Sequence, residues 1–148
     1  MPQSLVQIYV HIVFSTHERR PFLQQDVDLK EALRILGGIC NDMSCPVLRV
    51  GGVEDHVHIL CRLGKQTDIS ELIMELKRCS SIAIKSKVSD FYWQEGYGAF
   101  SVSPSHVDKL LDYIANQAEH HKKESFQDEF RRLLSHYGLK WDERYVWG

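Results

Sequence analysis

Two histidines stand one residue apart in the stretch Val53-Glu54-Asp55-His56-Val57-His58-Ile59-Leu60-Cys61-Arg62-Leu63. Imidazoles at that spacing can converge on one metal ion. The stretch reads as a strand, in which side chains alternate between faces. His56, His58, Leu60 and Arg62 then point one way and Val57, Ile59, Cys61 and Leu63 the other. The two imidazoles leave the backbone about 7 Å apart, close enough to share a cation that needs a third ligand. Further along, Tyr113 and Gln117 are four residues apart, one above the other on a helix. At about 100° per residue, His106, Lys109, Tyr113, Gln117 and His120 form one polar stripe, a quarter-turn from the apolar side. The carboxamide oxygen of Gln117 can complete a set with His56 and His58, leaving positions open for substrate, with Tyr113 beside the ion.

Taken singly, each residue has a plainer reading. His-x-His suits an exposed edge strand, a lone tyrosine an interface, and a lone glutamine a solvated helix face. His120 and His121 read as non-ligands that favour the helix dipole near its end, with His120 also a candidate phosphate contact. Arg62 shares the metal-side face and is a candidate phosphate holder. Glu54 and Asp55 read as turn residues. Arg19 and Arg20 after the first strand, and Lys77 and Arg78 on a helix, are candidate DNA contacts, although charged faces are commonly only solvated. Trp93 and Tyr97 can stack on unpaired bases or pack in the core.

The chain has 148 residues, 43% hydrophobic, which is enough for one domain with a real core, taken as residues 1–148. No apolar run approaches a membrane span, and the first residues lack a signal-peptide pattern, so the expectation is a soluble, cytoplasmic protein. Cys40, Cys45, Cys61 and Cys79 lack the close pairing of zinc ribbons and read as reduced, buried thiols. A net charge of −2 and a pI near 6.4 exclude a globally basic duplex-DNA binder. Any nucleic-acid surface is therefore local.

The elements that position these residues follow from periodicity. Leu5 to Ser15 alternates, with Val6, Ile8, Val10, Ile12 and Phe14 on one face, and predicts a half-buried strand. A helix is expected from about Gln24 to Asn41. Pro46 to Val50 and the histidine strand form a hairpin broken near Gly51-Gly52 or Glu54-Asp55. Asp68 and Glu71 form a capping box for a helix from Ile69 to about Lys87. After a short strand, Ala99 to Ser103, Ser105 should cap a third helix carrying Tyr113 and Gln117, and a fourth runs from about Phe126 to His136. This order predicts an α+β fold, a ferredoxin-like split βαβ antiparallel sheet with two additional C-terminal helices. The first two helices cover one sheet face, and the third is free to lie on the other.

His56-Val57-His58, followed on a later helix by Tyr113-Ile114-Ala115-Asn116-Gln117, resembles the HUH single-tyrosine transposases. These comprise the insertion-sequence two-hundred type and the REP-associated tyrosine transposases. The likeness runs from the first strand to the fourth helix and includes Trp93-Gln94-Glu95-Gly96-Tyr97-Gly98-Ala99-Phe100-Ser101. The resemblance implies a DNA strand transferase acting on single-stranded DNA, often in hairpins. Tyr113 would be the nucleophile, forming a 5′-phosphotyrosine link, and His56, His58 and Gln117 would hold Mg²⁺ or Mn²⁺. Imidazole ligands favour Mn²⁺. The insertion-sequence relatives form dimers in which a tyrosine helix can serve the partner's histidines, while the REP-associated relatives can act as monomers; a homodimer is the expectation. Two other functions fit the same residues: a module that binds DNA hairpins without cutting, and a metal-dependent nuclease that uses water.

Overall fold

The computed structural model describes residues 2–148. Its sheet contains β1 (Tyr9–Ser15), β2 (Val47–Val53), β3 (His56–Arg62) and β4 (Gly98–Val102), ordered β2-β3-β1-β4 with antiparallel neighbours. The helices are α1 (Asp26–Asp42), α2 (Ile69–Lys85), α3 (Val107–Ala115), α4 (Gln117–His120) and α5 (Phe126–His136). This is the expected split βαβ sheet, with β1 and β2 separated by β3. Where two C-terminal helices were expected there are three, because the chain leaves helical geometry at Asn116 (φ −104°, ψ 25°). Among the described residues, no helix is long and apolar enough to cross a membrane.

Several boundaries differ from the sequence expectation for identifiable reasons. β1 begins at Tyr9 rather than Leu5, because its partner β3 ends at Arg62, opposite Tyr9. Leu5, Val6 and Ile8 lie exposed before it. The hairpin turns at Glu54-Asp55, and Gly51 and Gly52 lie inside β2. Ser105 does not cap α3; a 3₁₀ turn over Pro104–His106 precedes that helix, and the Ser105 hydroxyl meets that of Ser103. Asp68 caps α2 as expected, accepting from the Glu71 amide at 2.8 Å, and Ser125 caps α5 in the same way.

The first sheet face packs on α1 and α2. Val10, Ile12 and Phe14 of β1 and Val57, Ile59 and Cys61 of β3 join Leu36, Leu72 and Leu76 in one apolar core. Trp93 closes it, edge-on to Phe14 and donating to the Ser80 hydroxyl at 2.9 Å. Cys40, Cys45 and Cys61 are buried there as free thiols, and Cys79 is half-buried. The second face packs on α3, α4 and α5 and holds two smaller apolar clusters. Val13, Phe100, Phe126, Phe130, Leu133 and Leu134 form one; Leu60, Val102, Leu110 and Ile114 form the other.

Candidate active site

β3 delivers His56 and His58 to the second face, both fully buried. His58 lies opposite Gly51 of β2, where the missing side chain matters. A Cβ on Gly51 would lie 2.3 Å from the carbonyl oxygen of Ile114, so only glycine lets α3 rest on the sheet. That approach brings Tyr113 and Gln117 to the histidines. The Tyr113 ring stands edge-on to His58, and the Gln117 carboxamide oxygen lies 3.0 Å from His56 Nε2.

α5 adds a carboxylate to this group. Glu129 is fully buried, with Oε1 at 2.8 Å from His58 Nε2 and 3.3 Å from His56 Nε2. The Gln117 amide and the Tyr113 hydroxyl both donate to its Oε2. His121 Nε2 lies 3.2 Å from the same oxygen, but not at a hydrogen-bonding angle, and is buried without a partner. Its Nδ1 is 2.7 Å from the Glu124 carbonyl, an acceptor, so the proton sits there and Nε2 turns a lone pair toward the carboxylate. Two lone pairs facing each other in a buried space call for a cation between them. The ligand atoms of His56, His58, His121 and Glu129 all lie within 4.8 Å of one another, and the group could hold a metal ion. Imidazole and carboxylate donors together fit a first-row divalent ion.

The electrostatics follow from this packing. Burial opposes charge on His56, but the carboxylates of Asp55 and Glu129 outweigh it and raise its pKa to about 9. Burial dominates at His58 and lowers its pKa. Burial also works to protonate Glu129, yet the ring nitrogens of His121, His56 and His58 gathered around it hold it well below the usual carboxylate range. Burial and the Glu129 charge raise the Tyr113 phenol, while the Arg132 guanidinium, donating to its oxygen at 2.8 Å, acts in the opposite direction.

Of the residues singled out in the sequence, His56, His58, Gln117 and Tyr113 meet here within one chain, and His120 stacks on Tyr113 at 4.4 Å. The others lie elsewhere. Arg62 is exposed at the opposite end of β3, roughly 20 Å along the strand from His56. Arg19 lies over the Trp147 ring, and Arg20 pairs with Asp90. Lys77 donates to the carbonyls of Gln94, Glu95 and Gly96 and clamps that loop, and Arg78 pairs with Glu75. His121, read as a non-ligand, belongs to the cluster. Glu129, Arg132 and His11 join it, with no motif spacing in the sequence to mark them. The signal for Glu129 was its place in the apolar stripe of α5, three residues after Phe126 and four before Leu133.

A split βαβ sheet that presents two histidines to a tyrosine on a flanking helix defines a transposase of the single-tyrosine class. The family model described as "Transposase IS200 like" matches residues 4–117, and the chain belongs to that family. Two solved structures share the fold. One is a protein from Deinococcus radiodurans R1 provisionally assigned as a transposase, with a TM-score of 0.62 and 21% identity, covering 79% of this chain and 95% of that one. The other is a REP-associated tyrosine transposase bound to a REP hairpin, with a TM-score of 0.61 and 15% identity, covering 82% and 73%. No curated protein matches the sequence. His121, Glu129 and Arg132 all lie beyond the residues that the family pattern spans.

Proposed function

We propose that the protein cleaves and rejoins single-stranded DNA by transesterification at Tyr113. The observation that carries this reading is the meeting of half-buried Tyr113 with the buried side chains of His56, His58 and Gln117 in a single chain. The Tyr113 oxygen attacks the scissile phosphorus. An oxygen–phosphorus bond forms as the phenol gives up its proton, the bond to the 3′ oxygen breaks, and that oxygen takes up a proton and leaves as a 3′-hydroxyl while the 5′-phosphate stays on tyrosine. Attack by the freed or another 3′-hydroxyl reverses the step, so one residue serves cutting and joining. Glu129 accepts the phenol's hydrogen bond and keeps its oxygen oriented, and Arg132 stabilises negative charge on that oxygen. His56, His58 and Gln117 would hold a divalent cation, Mg²⁺ or Mn²⁺, with His121 and Glu129 in the same cluster. Bound there, the cation would supply Lewis-acid stabilisation of the scissile phosphate's charge and would offset the Glu129 carboxylate beside the phenol.

The REP hairpin bound by one structural neighbour supports a hairpin-containing DNA substrate for this chain as well. The resemblance also implies a homodimer. With tyrosine and histidines meeting in one chain, that dimer is not required to assemble the site. Light scattering at high protein concentration tests it.

The deciding assay incubates labelled single-stranded DNA with protein and Mn²⁺ and looks for a covalent adduct on a denaturing gel. An adduct with wild type that is absent in Tyr113→Phe is the expected result. No adduct with wild type, or an undiminished one in the variant, removes the nucleophile assignment. Binding without cleavage would identify a hairpin-binding module, and cleaved product without adduct a nuclease that uses water.

A further inference from the structure

The same face carries a second feature beside Tyr113. A cleft of about 410 Å³ opens between α3 and α5, with Tyr113 in its wall. This volume lies within the range of about 300–1,000 Å³ usual for small-molecule sites. His106, Lys109, Arg132 and His136 line it, and none of its lining residues is a carboxylate. Arg132 is held by the Glu124 carboxylate at 2.9 Å, so Lys109 and the two imidazoles are the basic groups that face an incoming anion beside Tyr113, in a protein of net charge −2. Tyr137 supplies an aromatic wall whose ring is stacked on Phe100 at 4.5 Å with an interplanar angle of 5°.

The buried wall of the cleft carries an unsatisfied polar atom. His11 is fully buried, and its Nε2 lies 2.8 Å from His58 Nδ1, but its Nδ1 has no hydrogen-bond partner. Buried polar atoms rarely stay unpaired, and one lining a cleft points to a ligand group. His11 also links the cleft to the imidazole cluster. When His58 Nε2 donates to Glu129, His58 Nδ1 accepts from His11 Nε2, and His11 Nδ1 is left as a bare acceptor in the wall of the cleft. When His58 Nε2 is instead a ligand, the pattern reverses and His11 Nδ1 offers N–H.

We propose that this cleft receives one nucleotide of the DNA strand, next to the phosphate that Tyr113 attacks. Basic side chains engage its phosphate, and Tyr137 and His11 engage its base. The assignment of the nucleotide's place in the strand rests on Tyr113 as nucleophile. The cations alone would suit any anion. The aromatic wall and the unpaired imidazole nitrogen are what favour a nucleotide over free phosphate.

The test uses the full chain without metal, in chelator, titrated calorimetrically with thymidine 5′-monophosphate, with inorganic phosphate and with a short oligothymidylate. Lys109→Glu/His136→Glu and the milder Lys109→Ala are compared with wild type, since both positions are exposed and not needed for the core. We expect the double variant to weaken oligothymidylate binding by about tenfold or more, and Lys109→Ala to lower the salt slope by about one phosphate contact. Mn²⁺ affinity and melting temperature should stay at the wild-type value, and the mononucleotide should bind more tightly than phosphate. Equal binding by wild type and the double variant overturns the proposal, as does phosphate competing as well as the mononucleotide, which marks an anion site only. Covalent adduct formation on a randomised single-stranded library separates this proposal from the reading beneath it. Undiminished adduct in the double variant removes the cleft and leaves the strand-transfer reading standing. No adduct in wild type, with nucleotide binding intact and lost in the double variant, removes strand transfer and leaves a nucleotide site.

Discussion

The two faces of the sheet are built from alternate residues of the same strands, yet they have opposite characters. On the α1 and α2 side, Val10, Ile12, Phe14, Val57, Ile59 and Cys61 form one continuous apolar core. On the α3 to α5 side, the intervening positions place His11, His56 and His58, with Gln117 and Glu129, in equally complete burial between two small apolar clusters. Burying apolar groups stabilises, whereas burying polar ones costs free energy unless each is paired. The first face therefore provides the stability that keeps the second in place. On the second face, His11 Nδ1 and His121 Nε2 remain unpaired, the first in a residue lining the cleft between α3 and α5 and the second in the imidazole–carboxylate cluster.

Mutations on one face against the other can break this division. The largest effect is expected from Tyr113→Phe, which should reduce covalent DNA adduct by about a thousandfold or more while leaving the melting temperature nearly unchanged. Next, Gly51→Val would force a side chain into the Ile114 backbone of α3, and chemical denaturation should show a loss of about 3 kcal/mol or more together with loss of adduct. Glu129→Gln keeps the shape but removes the charge, and calorimetry should show Mn²⁺ affinity falling by about 10–100-fold; unchanged affinity would exclude the carboxylate from the metal's ligands. Leu76→Ala, in the apolar core, should destabilise by about 2–5 kcal/mol with no change in metal affinity of the folded protein.

A smaller effect tests the polar face through pH. The pKa of His56 is raised in the fold to about 9, so its charged form favours the native state. In metal-free protein this stabilisation is complete below about pH 6.5 and is lost as pH rises through about 9. Denaturation across that window should reveal a decline on the order of 1–3 kcal/mol that His56→Gln removes. The smallest effect is a gain. Gly37 of α1 has room for a Cβ, with no neighbour nearer than Val50 Cγ2 at 3.5 Å, and Gly37→Ala should stabilise by about 0.5–1 kcal/mol.

The readable parts of the sequence were those governed by local rules. Alternation located β3 and assigned its faces, Asp68 marked the start of α2, and the i, i+4 relation of Tyr113 and Gln117 survived even though the helix breaks between them at Asn116. What stayed hidden depends on distant partners. Gly51-Gly52 has the composition of a turn, but Gly51 serves the approach of α3, sixty residues away. Glu129 stands out in sequence only as a charge within the apolar stripe of α5, and its purpose shows only when three imidazoles surround it. Lys77 looks like a solvated cation until three carbonyls of the Gln94 loop meet it; burial then lowers its pKa to about 8. Arg62 was placed on the correct strand face, but distance along that strand removed it from the cluster.

The position of α5 in the chain has a bearing on how the protein matures during synthesis. When translation has passed Gln117, every residue of the family pattern has been made, but Glu129 and Arg132 have not. Until α5 emerges and docks, the Tyr113 oxygen lacks both of its contacts from that helix. A chain that stops short of α5 therefore keeps the whole family pattern yet loses the carboxylate and the guanidinium that hold the Tyr113 oxygen in place.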